Sequence, residues 1–291
     1  MNISIVIPVY NGEQTIDALF SEIKTELNNE VYEVIFIFDC GKDNSWRIIK
    51  RLIKENPDIV RGYHLKRNYG QHDAILFGLS RAKGDYIITM DEDMQHDPVY
   101  IKELLNEQKK EDYDVVYAVF KSSTHSGIRN FTSNLLRKIL SVIIPGIYPD
   151  YSPYRLMKKE IAYSLTKLHN SYTFIDGYLG WLKLKIGTIT AIHRKREKGE
   201  SSYSVFRLFK HALYVTIAYS PLKKWLLCTA LGLNLLSFLL YKQSINNTIP
   251  ASLYIYGFIL GIILLLLALA AEIIHYGRLK LINTPVAVND I

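Results

Sequence analysis

The chain has 291 residues, of which 49% are hydrophobic and 22% charged, with a formal net charge of +7. This length holds one large domain and an appendage. The basic residues are scattered and form no recognition module, which argues against a nucleic-acid-binding protein and leaves a membrane surface or a phosphorylated substrate as the partner of the positive charge. The two cysteines argue against a disulfide framework or a zinc cluster.

Short β-branched runs alternate with amphipathic stretches through the first 120 residues, and this alternation predicts βαβ units around a mostly parallel α/β sheet. The N-terminus itself is a strand rather than a signal peptide. The predicted strands are Ile3–Ile7, Val31–Phe38, Gly62–Leu65, Asp85–Met90 and Val115–Phe120. The predicted helices are Gly12–Asn28, a helix that begins near Asp43, Gly70–Ala82 and Pro98–Lys109.

Ligands of such sheets bind outside the carboxyl ends of the strands. Tyr10, Asp39 and Asp91 each follow a predicted strand, so we expect them to be neighbours despite their separation in sequence.

Two basic amphipathic helices are predicted after this region. Ile128–Ile144 carries Arg129 and Arg137 among apolar positions, and Tyr203–Tyr219 is rich in aromatic and basic residues. The second helix can lie in a membrane interface or pack on the domain, and its position directly before apolar segments favours the interface.

Two uncharged segments near the C-terminus, Trp225–Tyr241 and Ile249–Ala271, have the length of about 17–25 residues that crosses a bilayer. The short polar link between them predicts a transmembrane hairpin; a buried hairpin of a soluble domain is the alternative. Basic residues flank the hairpin at Lys223, Lys224 and Arg278, which predicts that both of its ends are cytosolic.

An acid triplet, Asp91-Glu92-Asp93, directly follows the fourth predicted strand. Carboxylates at positions i and i+2 of a strand end can face one site if the chain turns there, and hard oxygen ligands suit Mg²⁺ or Mn²⁺. The nearby His96 has two interpretations, a residue that touches the site and a loop histidine without a metal role, and the second is favoured.

Several motifs in order along the chain resemble glycosyltransferase family 2, with its GT-A fold. The opening Ser4-Ile5-Val6-Ile7-Pro8-Val9-Tyr10-Asn11 is similar to that family's first strand. The further matching segments are Glu33–Trp46, Asn68-Tyr69-Gly70-Gln71, Gly84-Asp85, the acid triplet, Tyr154-Arg155-Leu156-Met157 and the segment from Arg196 to Tyr203. As a set they are similar to the polyprenyl-phosphate branch, which contains dolichol-phosphate mannose synthases and bacterial undecaprenyl-phosphate sugar transferases.

The resemblance implies a role for each matching position. Asp91 and Asp93 would be catalytic and would hold Mg²⁺ or Mn²⁺, with Asp93 as the principal ligand, and Asp150 would orient or assist the acceptor. The positions implied for the nucleotide are Pro8, Tyr10, Glu13, Asp39, which would contact the base, Gln71 and Asp91. The positions implied for the acceptor phosphate are Arg129, Arg137 and Arg196.

The sequence departs from the family pattern at three places. Phe38 replaces the first of two aspartates after the second strand, and Cys40-Gly41 replaces the Gly-Ser that follows. Pro153 and Ser202 also depart from the pattern, which puts the sugar and the phosphate contacts in question.

The implied reaction is an inverting, metal-dependent transfer of a hexosyl-type sugar from a UDP-, GDP- or dTDP-sugar to a polyprenyl phosphate such as undecaprenyl phosphate. It would occur at the cytosolic face of a bacterial inner membrane and serve an envelope polysaccharide. The alternatives are a transferase that extends another lipid-linked glycan and a catalytically silent membrane protein that binds nucleotide sugars. A homo-oligomer such as a tetramer also stays open.

The sequence predicts four regions. A cytosolic GT-A domain covers residues 1–200, a juxtamembrane amphipathic helix 201–222, the two membrane helices 223–272, and a cytosolic tail 273–291.

Overall fold

The computed structural model describes residues 2–121, 140–168, 172–192, 194, 205–244, 250–281 and 287–290. Arg129, Arg137 and Arg196, which the sequence assigned to the acceptor phosphate, lie outside the described residues. Of the predicted helix Ile128–Ile144, residues 140–144 are described; residues 140–143 are helical and Ile144 lies in a bend.

A single eight-stranded sheet forms the centre of the fold, in the order β7-β5-β6-β4-β1-β2-β3-β8. The strands are β1 (Asn2–Val9), β2 (Val31–Phe38), β3 (Val60–Leu65), β4 (Tyr86–Thr89), β5 (Val115–Lys121), β6 (Arg155–Lys158), β7 (Ile186–Ile192) and β8 (Ala287–Asp290). Pairing is parallel between β1 and β2, β1 and β4, β2 and β3, and β5 and β7. Strand β6 is antiparallel to both β4 and β5, and β8 is antiparallel to β3, so the predicted mostly parallel sheet is confirmed.

Nine helices have both ends among the described residues; the first seven belong to the sheet domain and cover both faces of the sheet, and the last two form a separate hairpin. They are α1 (Ile16–Glu26), α2 (Ser45–Glu55), α3 (Gln71–Arg81), α4 (Tyr100–Glu111), α5 (Lys159–Thr166), α6 (Ile175–Trp181), α7 (Val205–Tyr219), α8 (Leu222–Ser244) and α9 (Ala251–Leu281). Alternate residues of β1 enter two apolar clusters: Ile5 packs with α1, α2 and α4, whereas Val6 packs with α3, α5, α6 and α7. Burial on both faces explains why β1 is a nearly continuous apolar run.

The first helix begins four residues later than the predicted start at Gly12, because the preceding turn bonds to the loop before α2. The Gly12 N–H donates to Ser45 Oγ at 2.9 Å, and Thr15 Oγ1 donates back to the Gly12 carbonyl at 3.1 Å. These hydrogen bonds hold the loops after β1 and β2 together at the edge of the sheet.

Strands β6, β7 and β8 are absent from the sequence prediction. Strand β6 is four residues long, too short for a periodic pattern, and it is defined by its two antiparallel neighbours. Arg155 of β6 lies opposite Thr89 of β4 and Tyr117 of β5. Because β6 lies between β4 and β5, the Arg155 cation is close to the end of β4, which the acid triplet follows.

Helix α7 packs on the domain through its C-terminal half. Val215, Ile217 and Tyr219 are buried, and the Tyr219 hydroxyl donates to the Tyr172 carbonyl at 2.8 Å. Leu213 on the same helix is 43% exposed. The helix therefore packs on the domain, one of the two alternatives that the sequence left open, and its location in a membrane interface stays a prediction.

Helices α8 and α9 pack against each other as a hairpin. Their apolar windows, Leu222–Lys242 and Ser252–Ile274, are long and apolar enough to cross a membrane, and 11% and 17% of the respective windows are buried, which is too little for core helices of a soluble protein. Lys223 and Glu272 form an ion pair at 2.8 Å at one end, and the rings of Tyr241 and Tyr254 meet at 5.4 Å at the other.

Gly84 is required by close packing against β1. Its N–H donates to Ser4 Oγ at 2.7 Å, and a Cβ there would lie 2.6 Å from the Ser4 backbone nitrogen and 2.8 Å from the Ile3 carbonyl carbon. A side chain at this position collides with backbone of the central strand, which cannot rotate away.

We predict that Gly84→Ala lowers the free energy of unfolding by about 1–3 kcal/mol, the usual cost of overpacking. The measurement is the thermal midpoint in detergent. Gly232→Ala is the matched control, because a Cβ at Gly232 meets no atom within 4 Å among the described residues. Equal midpoints for the two variants would contradict the prediction.

Candidate active site

The carboxyl ends of β1, β2 and β4 meet at one edge of the sheet, because both β2 and β4 pair in parallel with β1. Tyr10, Asp39 and Asp91 follow these strands, as expected from sequence. The Tyr10 side chain is 46% exposed. The edge therefore offers an accessible aromatic ring near buried carboxylates.

Two contacts from different elements hold Asp91. Gln71, the first residue of α3, donates from Nε2 to Asp91 Oδ1 at 2.5 Å. The Asp91 backbone N–H donates to His96 Nδ1 at 2.9 Å, and His96 Nε2 lies 3.9 Å from Asp91 Oδ2. Because His96 Nδ1 accepts the Asp91 N–H, the proton of a neutral His96 lies on Nε2.

His96 is a supporting residue that the sequence analysis missed. Its side chain is buried between Phe120 and Tyr154, with ring centroids 5.3 Å and 5.2 Å away and interplanar angles of 10° and 20°. The available signal was its spacing of five residues from Asp91, which does not distinguish a support from a solvated loop residue.

The other two acids of the triplet turn toward different partners. Glu92 Oε1 accepts the Tyr10 N–H at 3.3 Å, and the Glu92 side chain lies over Gly12. Asp93 Oδ1 accepts the Gln95 N–H at 3.1 Å. The buried Met94 has φ of 63°, so the chain turns sharply directly after Asp93.

Burial and neighbouring carboxylates disfavour the ionised form of Asp91. Burial, followed by the charges of Glu92 and Asp93, raises the pKa of Asp91 to about 8, while Arg155 and Gln71 act in the opposite direction. The Asp91 side chain nevertheless remains 23% exposed, so a ligand can reach it. A cation bound here would relieve the repulsion among the three carboxylates.

Arg155 is fully buried and pairs with Asp176 of α6 at 2.5 Å. Asp176 Oδ1 also accepts the Tyr117 hydroxyl at 3.0 Å, and the Arg155 guanidinium lies 5.6 Å from the centre of the Tyr117 ring. Burial raises the pKa of Asp176, and the Arg155 charge offsets part of that rise. Loss of one partner would leave a buried charge uncompensated, which typically costs about 3–5 kcal/mol.

Asp39 is 3% exposed and binds the loop before α3. Its Oδ1 accepts the Tyr69 N–H at 2.7 Å and its Oδ2 accepts the Gly70 N–H at 2.8 Å. Burial raises the pKa of Asp39 to about 6 and the neighbouring Asp73 adds to the rise, whereas the two backbone N–H groups lower it.

Pro8 and Glu13 lie close to the edge of the sheet, Pro8 within β1 and Glu13 in the loop that follows it. Pro8 is buried in β1 opposite Ile37. Glu13 Oε2 accepts both the backbone N–H and the side-chain amide of Asn44, at 2.9 Å and 3.0 Å. In this structure both residues organise the loops around the site.

The carboxylates suit a divalent cation shared with a substrate. Among the described residues no group of three His, Cys, Asp or Glu side chains converges as a complete metal cage. Magnesium in nucleotide sites is usually held by one or two carboxylates with substrate phosphates and water, so a full cage is not required. Asp91 and Asp93 would hold such an ion, which would favour the ionised form of Asp91 against the effects of burial and of the neighbouring Glu92 and Asp93.

On the acceptor side, the structure describes one of the predicted residues. Asp150 is exposed in the turn before β6, four residues ahead of Tyr154. Arg194, which the sequence analysis did not single out, binds Asp97 at 2.7 Å and Glu22 at 2.6 Å. It thereby joins the end of β7 to α1 and to the loop after the acid triplet.

The comparisons with known proteins agree with this arrangement. The family model described as Glycosyl transferase family 2 matches residues 4–174, which is more than half of the chain. The chain belongs to glycosyltransferase family 2.

Among its relatives is an undecaprenyl-phosphate 4-deoxy-4-formamido-L-arabinose transferase of Shewanella sediminis, 32% identical over 76% of this chain and 68% of the relative. A protein of the same description from Yersinia pestis is 31% identical over 76% of this chain and 69% of the relative.

A solved structure with a similar fold is glucosyl-3-phosphoglycerate synthase from Mycobacterium tuberculosis, in complex with Mn²⁺, UDP-glucose and phosphoglyceric acid. It has a TM-score of 0.56 and 18% identity, over 74% of this chain and 77% of that one. The fold of this glycosyltransferase is therefore GT-A, as the sequence resemblance implied.

The buried Asp39 predicts a pH dependence of stability. Its folded pKa of about 6 exceeds its ordinary value of 3.8, so the folded chain binds this proton more tightly than the unfolded chain. The stabilisation is fully present below the ordinary pKa and is lost as pH rises through about 6.

Asp39→Asn removes this titration. We predict that the wild-type thermal midpoint, relative to that of the variant, falls by several degrees between pH 4 and pH 7, which corresponds to at most about 3 kcal/mol. Paired thermal melts across this pH range measure the difference. A constant offset between the two proteins would contradict the assigned pKa.

Proposed function

We propose that this glycosyltransferase moves a sugar, with inversion, from a nucleotide sugar to undecaprenyl phosphate at the cytosolic face of a bacterial inner membrane. The observation that carries the proposal is the acid site at the end of β4, held by Gln71 and His96, in a chain that also has a potential membrane hairpin. The relatives from Shewanella and Yersinia are undecaprenyl-phosphate sugar transferases, which supports undecaprenyl phosphate as the acceptor.

On the donor side, the nucleotide would lie along the edge formed by the loops after β1, β3 and β4. The exposed Tyr10 ring would pack against the nucleoside, and Gln71 would lie beside it while holding Asp91. Asp91 and Asp93 would hold Mg²⁺ or Mn²⁺, which would supply neutralisation of the departing nucleoside diphosphate. UDP, GDP and dTDP donors are all compatible with this arrangement.

The acceptor phosphate is already anionic at neutral pH, so its oxygen can attack the anomeric carbon with little help from a general base. Positioning and charge neutralisation would then supply most of the rate enhancement. Asp150, exposed in the turn before β6, would orient the acceptor. Arg129, Arg137 and Arg196 would bind its phosphate through charge-assisted hydrogen bonds.

The ends of the membrane hairpin support a cytosolic location for both termini. The ion pair between Lys223 and Glu272 brings the start of α8 to the level at which the apolar segment of α9 ends. Strand β8 follows α9 and pairs with β3, so the chain after the hairpin returns to the sheet of the GT-A domain. Both helix ends therefore lie on the side of that domain, in agreement with the basic residues that flank the hairpin.

This arrangement refines the proposed regions. The GT-A domain would comprise residues 1–200, the juxtamembrane helix 201–222 and the membrane helices 223–272. The tail 273–291 would be cytosolic, and it supplies the last nine residues of α9, through Leu281, and strand β8.

We predict that purified wild-type protein forms glycolipid from undecaprenyl phosphate, Mn²⁺ and a nucleotide sugar. The donors to compare are UDP-, GDP- and dTDP-hexoses and a UDP-linked 4-formamido-4-deoxypentose, the sugar class in the relatives' description. Asp93→Ala should reduce the rate by about 100-fold or more, the loss of roughly 3 kcal/mol of charge stabilisation.

Asp58→Ala is the matched control, because Asp58 is exposed in the turn before β3, at the opposite edge of the sheet. Its rate should equal that of the wild type. Undiminished transfer by the Asp93 variant would remove this residue from the metal site, and no transfer with any donor would refute the proposed reaction.

Reporter fusions test the topology. A fluorescent protein that folds in the cytosol should be active when it is fused after residue 291, and a periplasm-dependent phosphatase should be active when it is inserted in the link between α8 and α9. The opposite pattern would overturn the cytosolic location of the C-terminus.

A further inference from the structure

Trp181, the last residue of α6, is an exposed aromatic residue of the sheet domain that the proposed reaction does not use. Its side chain is 45% exposed. The Trp181 ring lies 5.0 Å from the ring of Tyr219 and 5.6 Å from that of Tyr178, and both tyrosines are buried. Trp181 therefore covers the C-terminal end of α7, with part of its side chain packed on the domain and part of it open.

The end of α7 lies beside the point at which the chain enters the membrane hairpin. Ser220 and Pro221 separate Tyr219 from Leu222, where the apolar window of α8 begins, and this length of chain spans at most about 11 Å. Helix α7 also contacts α9. With the hairpin in a bilayer, the ring of Trp181 beside Tyr219 lies near the headgroup layer, which is about 5–8 Å thick on each side of the hydrocarbon core.

A second exposed apolar segment adjoins Trp181. The backbones of Gly146 and Gly180 are in contact, since a Cβ built on Gly146 would lie 2.1 Å from the Gly180 carbonyl oxygen. Pro145 and Trp181 flank this contact, and both are exposed. Val142, four residues before Gly146, is 85% exposed, the highest value among the large apolar side chains of the described residues. Val142, Pro145 and Trp181 together form the Trp181 surface.

The charge around this surface suits lipid headgroups. Residues 140–149 and 177–186 contain no aspartate or glutamate, and neither does α7. Lys183, two residues after Trp181, is exposed. Tryptophan is enriched at the headgroup level of membranes, and lysine near the surface is attracted to anionic lipids.

The size of the surface favours lipid over a protein partner. Even a fully buried large aromatic side chain covers only about 150–250 Å². Three side chains, of which one is aromatic, thus offer less than the roughly 800 Å² per partner that a specific protein interface buries. A lipid headgroup layer needs no complementary shape, so a small apolar surface beside a membrane hairpin is sufficient for contact.

We propose that the Trp181 surface docks on the headgroup layer of the bilayer that the hairpin crosses, so that the GT-A domain itself contacts lipid. This inference rests on the proposed function, since it takes the hairpin to lie in the membrane. It also bears on the acceptor, because Asp150 follows Gly146 by four residues. Docking would hold the acceptor turn against the layer in which a polyprenyl phosphate presents its head group.

The chain has three tryptophans, and they supply both the test and its controls. Three full-length proteins each keep one of them and carry phenylalanine at the other two: Trp181 alone, Trp225 alone and Trp46 alone. Each protein is reconstituted into phosphatidylcholine vesicles, and circular dichroism verifies that it is folded. Tryptophan emission is then compared between ordinary lipid, lipid brominated close to the headgroup and lipid brominated close to the chain end.

We expect the emission of the Trp181 protein to fall by about half or more in lipid brominated close to the headgroup, and by less in lipid brominated close to the chain end. Trp225 is 62% exposed on α8, so brominated lipid should also quench it. Trp46 packs on the face of the sheet opposite to α7, and its emission should stay unchanged.

Quenching of Trp225 without quenching of Trp181 would overturn the docking and leave the hairpin in the membrane. Equal quenching of Trp181 and Trp46 would also overturn it, because the whole domain would then adsorb without a defined surface. If bromine quenched none of the three, both this inference and the proposed membrane location would be wrong. If Trp181 alone in the domain is quenched but the wild type forms no glycolipid, the transfer reaction is refuted and the docking is supported.

Discussion

Parallel pairing of β1 with β2 on one side and β4 on the other is the constraint on which the site depends. It satisfies the backbone of the central strand, and it brings the loops after β1, β2 and β4 to one edge. Polar residues that are far apart in the chain then interact there: the Tyr10 N–H donates to Glu92, and Gly12 donates to Ser45. A ligand at this edge contacts loops that are cross-linked before it arrives, which reduces the cost of ordering them on binding.

Buried charge is the main energetic cost of the arrangement. The unfavourable burial of Asp91 is seen in its pKa of about 8, and that of Asp39 in a pKa of about 6. The compensating groups are backbone N–H donors at Asp39, and an amide and the buried Arg155 near Asp91. Arg155 can occupy its position because the short antiparallel strand β6 is inserted between β4 and β5. Perturbed carboxylates of this kind concentrate at functional sites, and here they follow β2 and β4, the two strands that flank β1.

The hairpin and the sheet are connected at both ends. Helix α7 packs against the domain through Tyr219 before α8 begins, and β8 adds to the edge strand β3 after α9 ends. The small residues Gly257 and Gly261 allow α9 to approach Ser237 and Asn234 of α8, as is common between helices in lipid. Two attachments restrict how the domain can rotate relative to the hairpin, which favours a fixed distance between the acid site and the membrane surface.

The sequence alone determined the features that have a local or periodic signal. Alternating apolar runs predicted β1 to β5 and α1 to α4, because the periods of strands and helices appear in consecutive residues. Two long uncharged segments predicted the hairpin, because the number of consecutive apolar residues shows whether a helix is long enough to cross a bilayer. The motif order around the acid triplet identified the family. Strands β6 and β8 could not be predicted in this way, since each contains a charged residue within only four positions and lacks an apolar run, and each forms where a neighbouring strand supplies its hydrogen bonds.

Tertiary structure alone decided what each polar side chain does. Asp39, for which the sequence resemblance implied a base contact, accepts the backbone N–H groups of Tyr69 and Gly70. His96, which had the pattern of a loop residue, is buried behind Asp91. The physical reason is that the partners of a polar side chain lie on other strands and loops, at separations in the chain of 30 and 31 residues for Asp39. The sequence thus predicted where charged groups gather, and the packing of the strands decided which of them face a ligand and which hold the others in place.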